Sequence, residues 1–190
     1  MQIDKPIIKA IETVYNGYRF RSRLEARWAV FFDAMGITYE YEKEGYDLGE
    51  DGFYLPDFEL TNKVQDMTIF VEIKGQKPSE KKIFKCCLLA EETKRFVYVF
   101  IGDPWEHTLY WIHPNPIESP RGHFSTSAFQ DERSKLMYLL YIAWFLGTPR
   151  EKLVNIKRAA LKARQARFEY GENPSFEIIK NNRQARRVNK

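Results

Sequence analysis

Asp57, Glu72 and Lys74 are the residues of this sequence best placed to do chemistry together. Glu72 and Lys74 stand two apart in Val71-Glu72-Ile73-Lys74-Gly75, a run that reads as a β-strand. Side chains of a strand alternate between faces, so Glu72 and Lys74 share one face and Val71 and Ile73 the other. With the apolar pair turned to the core, a carboxylate and an ammonium lie side by side on the opposite face. Asp57, in Tyr54-Leu55-Pro56-Asp57-Phe58, belongs to the preceding strand and lies beside them if the two strands pair. Two carboxylates hold a hard divalent cation through oxygen. A neighbouring lysine orients or activates water and steadies charge on a phosphate. The set suits magnesium-dependent hydrolysis of a phosphodiester. Each piece also has a plainer reading: Asp57 as a strand-end turn residue, and Glu72 with Lys74 as an exposed ion pair contributing under ~1 kcal/mol.

The elements that must position these groups follow from periodicity and caps. Leu24, Trp28, Phe31, Phe32 and Met35 recur at helical spacing and predict a helix over 22–35, with Ser22 as N-cap and Gly36 closing it. Residues 38–42 alternate as a strand, and the polar, glycine-containing 44–52 reads as a loop. Two strands are expected at 53–60 and 68–74, joined by a turn at 61–66, although Pro56 signals an edge or a distortion. Pro78 and Ser79 open a second helix that runs to about Lys94. Residues 95–101 form a β-rich run expected to be buried on both faces, and 109–112 another strand. Prolines 114, 116 and 120 mark an irregular connection before a buried helix over 131–146. Thr148-Pro149-Arg150-Glu151 reads as a capping box that starts a final helix reaching Gly171.

Composition narrows the function classes. A chain of 190 residues with 44% hydrophobic and 15% aromatic content is expected to form a globular domain, here a core over 1–148 with a basic appendage over 149–190. Cys86 and Cys87 are adjacent and build no disulfide framework, which suits a reducing cytoplasm. Residues 1–10 carry no signal-sequence pattern, and the apolar run 136–146 is too short for a bilayer, so no membrane is expected. His107, His113 and His123 lack ligand spacing, and no phosphate-loop motif points to a nucleotide cofactor. Residues 150–190 hold 12 Lys/Arg against 4 Asp/Glu, whereas 1–149 hold 18 against 22. A basic arm of this kind is the footprint of phosphate binding, with a solvated helix as the bland alternative. Lys157, Arg158, Lys162, Arg164 and Arg167 spread over its polar side, opposite Leu153, Ile156, Ala160 and Ala163. Arg19, Arg21, Arg23 and Arg27 cluster near the first helix and suit phosphate oxygens. Lys81, Lys82 and Lys85 are weaker candidates, and Trp105 and Tyr110 are candidates for stacking on a base.

Pro56-Asp57, a gap of 14 residues and Glu72-x-Lys74 resemble the PD-(D/E)xK nuclease superfamily. The helix–strand order supports this, because the first six expected elements run αβββαβ. The stretch Tyr15-Asn16-Gly17-Tyr18-Arg19-Phe20, Glu72-Ile73-Lys74-Gly75 and the late run Lys162 to Glu169 look like small nucleases carried by phages and prophages. The resemblance spans most of residues 15–171. It implies an α/β restriction-endonuclease-like fold with a mixed central sheet and C-terminal helices. It implies that Asp57 and Glu72 bind Mg²⁺, with Mn²⁺ able to substitute, that the Ile73 carbonyl is a further ligand, and that Lys74 lies near the attacking water. Members of the superfamily often add a glutamate from the first helix, here Glu25, although Ser22-x-x-Glu25 is also a capping box. The expected activity is metal-dependent hydrolysis of DNA, of endonuclease or junction-resolvase type, in the cytoplasm of a bacterial host. A catalytically silent DNA-binding or partner-binding protein is the alternative. A homodimer would suit two-strand cleavage, with 136–146 as one source of interface.

Overall fold

The computed structural model describes residues 10–62, 65–115, 124–125, 139, 142–143 and 145–169. It opens with a hairpin that the sequence reading passes over: β1 (Thr13–Tyr15) pairs antiparallel with β2 (Tyr18–Phe20). Asn16 and Gly17 make its turn at φ 48° and 81°. Positive angles at both positions match the twist of the flanking strands, and Asn-Gly is the commonest pair that adopts them. Helix α1 (Arg23–Met35) follows, capped by Ser22, whose Oγ accepts from the Glu25 N–H at 3.2 Å, and closed by Gly36 in the left-handed region. Trp28, Phe31, Phe32 and Met35 are buried on it, as their spacing requires.

β3 (Thr38–Tyr41) then leads into residues 44–52, which are not the expected loop throughout. β4 (Tyr46–Asp47), a 3₁₀ turn at Gly49–Asp51 and β5 (Phe53–Tyr54) form a small antiparallel pair of their own. The expected strand 53–60 is therefore two: β5 ends at Tyr54, and β6 (Phe58–Asn62) starts beyond Pro56. Proline has no N–H to give a ladder, so the chain leaves one sheet there and enters another. β7 (Met67–Lys74) pairs antiparallel with β6, helix α2 (Glu80–Thr93) crosses over, and β8 (Val97–Gly102) returns parallel to β7. β9 (His107–Ile112) and the two-residue β10 (Phe124–Ser125) extend the sheet, whose spatial order is β10-β9-β8-β7-β6-β3. The molecule is thus a mixed α/β protein with a mixed sheet.

The sheet is covered on both faces. Phe58, Leu60, Ile69, Val71, Ile73, Tyr98 and Phe100 pack with α1 in the larger core. Phe70, Val97, Val99 and Ile112 pack with Cys86, Leu89 and Ala90 of α2, and with Leu48 and Tyr54. β8 is buried on both sides, as its continuous apolar run predicts. Its last residue, Gly102, has φ 104°, and its carbonyl accepts from the Trp28 indole N–H at 2.9 Å.

The C-terminal helix differs from expectation. It is split into α3 (Arg150–Leu153) and α4 (Ile156–Gln165). Asn155 Nδ2 donates to the Glu151 carbonyl at 3.1 Å, a side-chain bond that competes with the helical ladder at the break. The capping box is absent, because Pro149 is the N-cap and the Thr148 side chain is buried. α4 stops before Gly171, since Ala166 is extended at φ −58°, ψ 130°, which carries Phe168 edge-on against Tyr15. Ile156, Ala159, Ala160 and Ala163 join the larger core, so 149–165 packs against α1 and the predicted apolar side is the buried one. Most of the expected helix 131–146 lies outside the described residues. Leu139, Ile142, Ala143 and Leu146 are buried in the core, and these four positions are unavailable for an interface. No described helix is long and apolar enough to cross a membrane. Residues 170–190 also lie outside the described part.

Candidate active site

β6 and β7 bring Asp57, Glu72 and Lys74 together. Phe58 pairs with Val71, so Asp57, one step before β6, reaches across to the end of β7. The Ile73 N–H donates to Asp57 Oδ2 at 2.7 Å, and Lys74 Nζ donates to the same oxygen at 3.0 Å. Lys74 Nζ also donates to the Ile73 carbonyl at 3.0 Å and lies 2.5 Å from Glu72 Oε2. That last contact is an ion pair that gives the buried Glu72 Oε2 its cationic partner. Three oxygens from two strands therefore surround one cationic nitrogen. Glu72 is fully buried and Asp57 is 6% exposed, so the plain reading of a solvated surface pair does not hold.

Two residues that the sequence reading does not assign to the centre fix Glu72 from behind. The Tyr54 hydroxyl donates to Glu72 Oε1 at 2.5 Å, and Lys82 Nζ stands 3.2 Å from the same oxygen. The Lys82 ammonium also sits 4.1 Å from the centre of the Tyr54 ring. Cys86 Sγ lies 3.0 Å from the Tyr54 oxygen. The one available sequence signal is the helical placement of Lys82 and Cys86 four residues apart, which puts both on one side of α2. Nothing local in the sequence couples them to Tyr54.

Burial sets the electrostatics. Desolvation first, and then the Glu72 charge, push the Asp57 carboxyl up to about 7, against the pull of the Lys74 ammonium and the Ile73 N–H. Glu25 adds a smaller push. Burial alone would lower Lys74, but Asp57 and Glu72 outweigh it and hold the amine above its ordinary value. Lys74 is accordingly a cationic donor at neutral pH. Burial, followed by the nearby Glu72, raises the Cys86 thiol to about 12, so it stays protonated.

Glu25 is placed differently from the other three. Its Oε1 accepts from Ser22 Oγ at 2.8 Å, and its Oε2 accepts from the Tyr41 hydroxyl at 2.6 Å and from the Arg21 N–H at 3.1 Å. The carboxylate is thus spent on the start of α1, while its charge still reaches Asp57. Among the described residues no group of three His, Cys, Asp or Glu side chains is arranged to hold a metal ion. The oxygens that do converge are Asp57 Oδ2, Glu72 Oε2 and the Ile73 carbonyl, around Lys74.

The candidate phosphate-binding residues divide. Arg19 pairs with Glu12, and Arg21 with Glu42 at 2.7 Å. Lys157 and Arg158 are exposed on α4. Arg23, Arg27, Arg164 and Arg167 instead line one cleft of about 810 Å³ between the start of α1 and the end of α4. Lys162, half-buried on α4, is not among the residues that line it. No family model, curated protein or solved structure matches the chain.

Proposed function

We propose that this protein is a metal-dependent nuclease that hydrolyses phosphodiester bonds in DNA, with Asp57, Glu72 and Lys74 as its centre. The observation that carries the reading is the meeting of Asp57 Oδ2, Glu72 Oε2 and the Ile73 carbonyl around a single ammonium, all within 3.0 Å of it. Oxygens arranged to share one cation form a donor set suited to Mg²⁺ or Mn²⁺. The order α1-β3-β6-β7-α2-β8, with three antiparallel strands and a parallel fourth, supports a restriction-endonuclease-like core.

Asp57, Glu72 and the Ile73 carbonyl would hold the ion. Bound there, Mg²⁺ supplies a more acidic water and stabilises charge on the leaving oxygen. The chain itself does the rest. Lys74, in contact with both carboxylates, is placed to donate to water or to a phosphate oxygen. Tyr54 and Lys82 hold Glu72 in its rotamer, so its second oxygen stays turned towards Asp57 and Lys74. Glu25 fixes the start of α1 and adds negative potential at Asp57.

The test is incubation with plasmid, linear duplex, single-stranded and branched DNA, with and without Mg²⁺ or Mn²⁺. Cleavage that requires the ion and is lost in Lys74→Ala and Asp57→Ala is expected. Equal cleavage by both variants refutes the assignment. One observation favours the rival reading of a silent DNA-binding protein: Glu25 is committed to its cap, so only two carboxylates face Lys74. Tight DNA binding without cleavage in any divalent cation would establish that rival.

A further inference from the structure

Arg23 and Arg27 stand one helical turn apart on α1, and Arg164 and Arg167 come from the end of α4 and the residues just beyond it. All four arginines line the same cleft, and Glu169 is the acidic residue that lines it with them. Arg23 Nη2 holds Glu169 at 2.6 Å. Arg164 leans towards Asp103 and Glu106 at 3.5 and 3.6 Å, longer than a formed hydrogen bond. The Nε atoms of Arg23 and Arg27 are shut off from solvent and have no acceptor among the described residues. A buried guanidinium N–H without an acceptor is costly, and four like charges around one space repel. The repulsion falls when an oxyanion enters, because phosphate oxygens accept from several guanidinium forks at once.

The place of the cleft says which oxyanion. Asp103 follows directly on β8, whose Ile101 is paired with Lys74 of β7. α1 carries Arg23 and Arg27 and, between them, Glu25, whose charge reaches Asp57. The cleft therefore lies at the same end of the sheet as the candidate centre, on the face covered by α1, whereas Tyr54 and Lys82 hold Glu72 on the face covered by α2. Its volume of about 810 Å³ is more than a lone phosphate needs. We propose that the Arg23–Arg27–Arg164–Arg167 cleft holds a phosphate of the substrate strand, and that the strand displaces Glu169, which occupies Arg23 in its absence. This deepens the nuclease reading and rests on it for the identity of the strand.

The experiment measures binding without cleavage. Lys74→Met protein in EDTA is titrated with labelled oligonucleotides by fluorescence anisotropy, alone and combined with Arg27→Met or Glu169→Gln, over a salt series. Arg27→Met is expected to weaken binding about tenfold and to reduce the salt slope by about one. Glu169→Gln is expected to tighten binding about threefold, since it removes the competing carboxylate. A role in folding alone cannot produce opposite effects from the two changes. Arg27→Lys, which keeps the charge but not the fork, should fall between parent and Arg27→Met. Oligonucleotides with and without a 5′-phosphate separate two sources of the same chemistry. Equal affinity assigns the cleft to backbone diesters, and a 5′-phosphate preference that Arg27→Met abolishes assigns it to a strand end. Unchanged affinity in both Arg27→Met and Glu169→Gln overturns the proposal. If these variants behave as expected while the wild-type protein cleaves nothing, the cleft stands and the nuclease reading falls. If the wild type cleaves while binding ignores both changes, the reverse holds.

Discussion

Asp57→Asn is expected to stabilise the metal-free protein above neutral pH. Asp57 is 6% exposed, and burial together with Glu72 lifts its carboxyl from 3.8 to about 7. In the unfolded chain the same group titrates in the ordinary range. Between about pH 4 and about pH 7 the folded protein keeps a proton that the unfolded chain has released, so stability falls as pH rises through that window and levels off above it. About three pH units at about 1.4 kcal/mol each amount to about 4 kcal/mol. Asparagine never ionises, its carbonyl oxygen still accepts from the Ile73 N–H, and Lys74 keeps Glu72 as its counter-charge. The assay is urea unfolding in EDTA across pH for parent and variant. Subtracting the two curves cancels other groups that titrate in the same range, such as Asp33 and Glu42, both raised by burial. The curves should converge towards about pH 4, with the variant ahead by up to about 4 kcal/mol at about pH 8. A variant less stable than the parent at that pH, or a difference that does not grow with pH, would refute the electrostatic account of the centre.

Divalent ions provide a complementary measurement: at about pH 8 a large excess of Mg²⁺ should stabilise the parent by about 2 kcal/mol or more, and Asp57→Asn far less, read as a shift in the thermal midpoint. Equal shifts would place the ion elsewhere. Tyr54→Phe removes the donor to Glu72 and should cost about 1–2 kcal/mol of stability, while lowering cleavage through kcat rather than KM. Retention of full kcat would show that Glu72 is oriented without it. Trp28→Ala empties a fully buried site between α1 and Phe100 and should cost about 3–5 kcal/mol in urea unfolding.

What was legible in the sequence follows from the range over which each signal acts. α1 was readable because its apolar spacing, its serine cap and its closing glycine are all local and agree. The same holds for α2 and for the alternation that turns Val71 and Ile73 away from Glu72 and Lys74. The juxtaposition of Asp57 with Lys74 followed from pairing two neighbouring strands. The hairpin at Asn16-Gly17 carries an equally local signal, Asn-Gly between β-branched and aromatic residues, which the sequence reading passes over. The break at Pro56 was signalled, but its consequence, a transfer between two sheets, depends on where β4 lies. The roles of Tyr54 and Lys82 depend on packing between β5, α2 and β7, and no periodicity carries that information. At the split, the Asn155 N–H turns to the Lys152 carbonyl and its side chain takes the Glu151 carbonyl, a local change that the continuous apolar stripe of the helix conceals.

Gly102 ties the end of β8 to α1. A methyl group there would sit 2.3 Å from the Glu106 carbonyl, and its φ of 104° already excludes most other residues. Its own carbonyl anchors the Trp28 indole. A steric demand and a hydrogen bond therefore meet at the end of β8. A side chain at position 102 would push the Glu106 backbone away and shift the carbonyl that holds the α1 indole against the sheet.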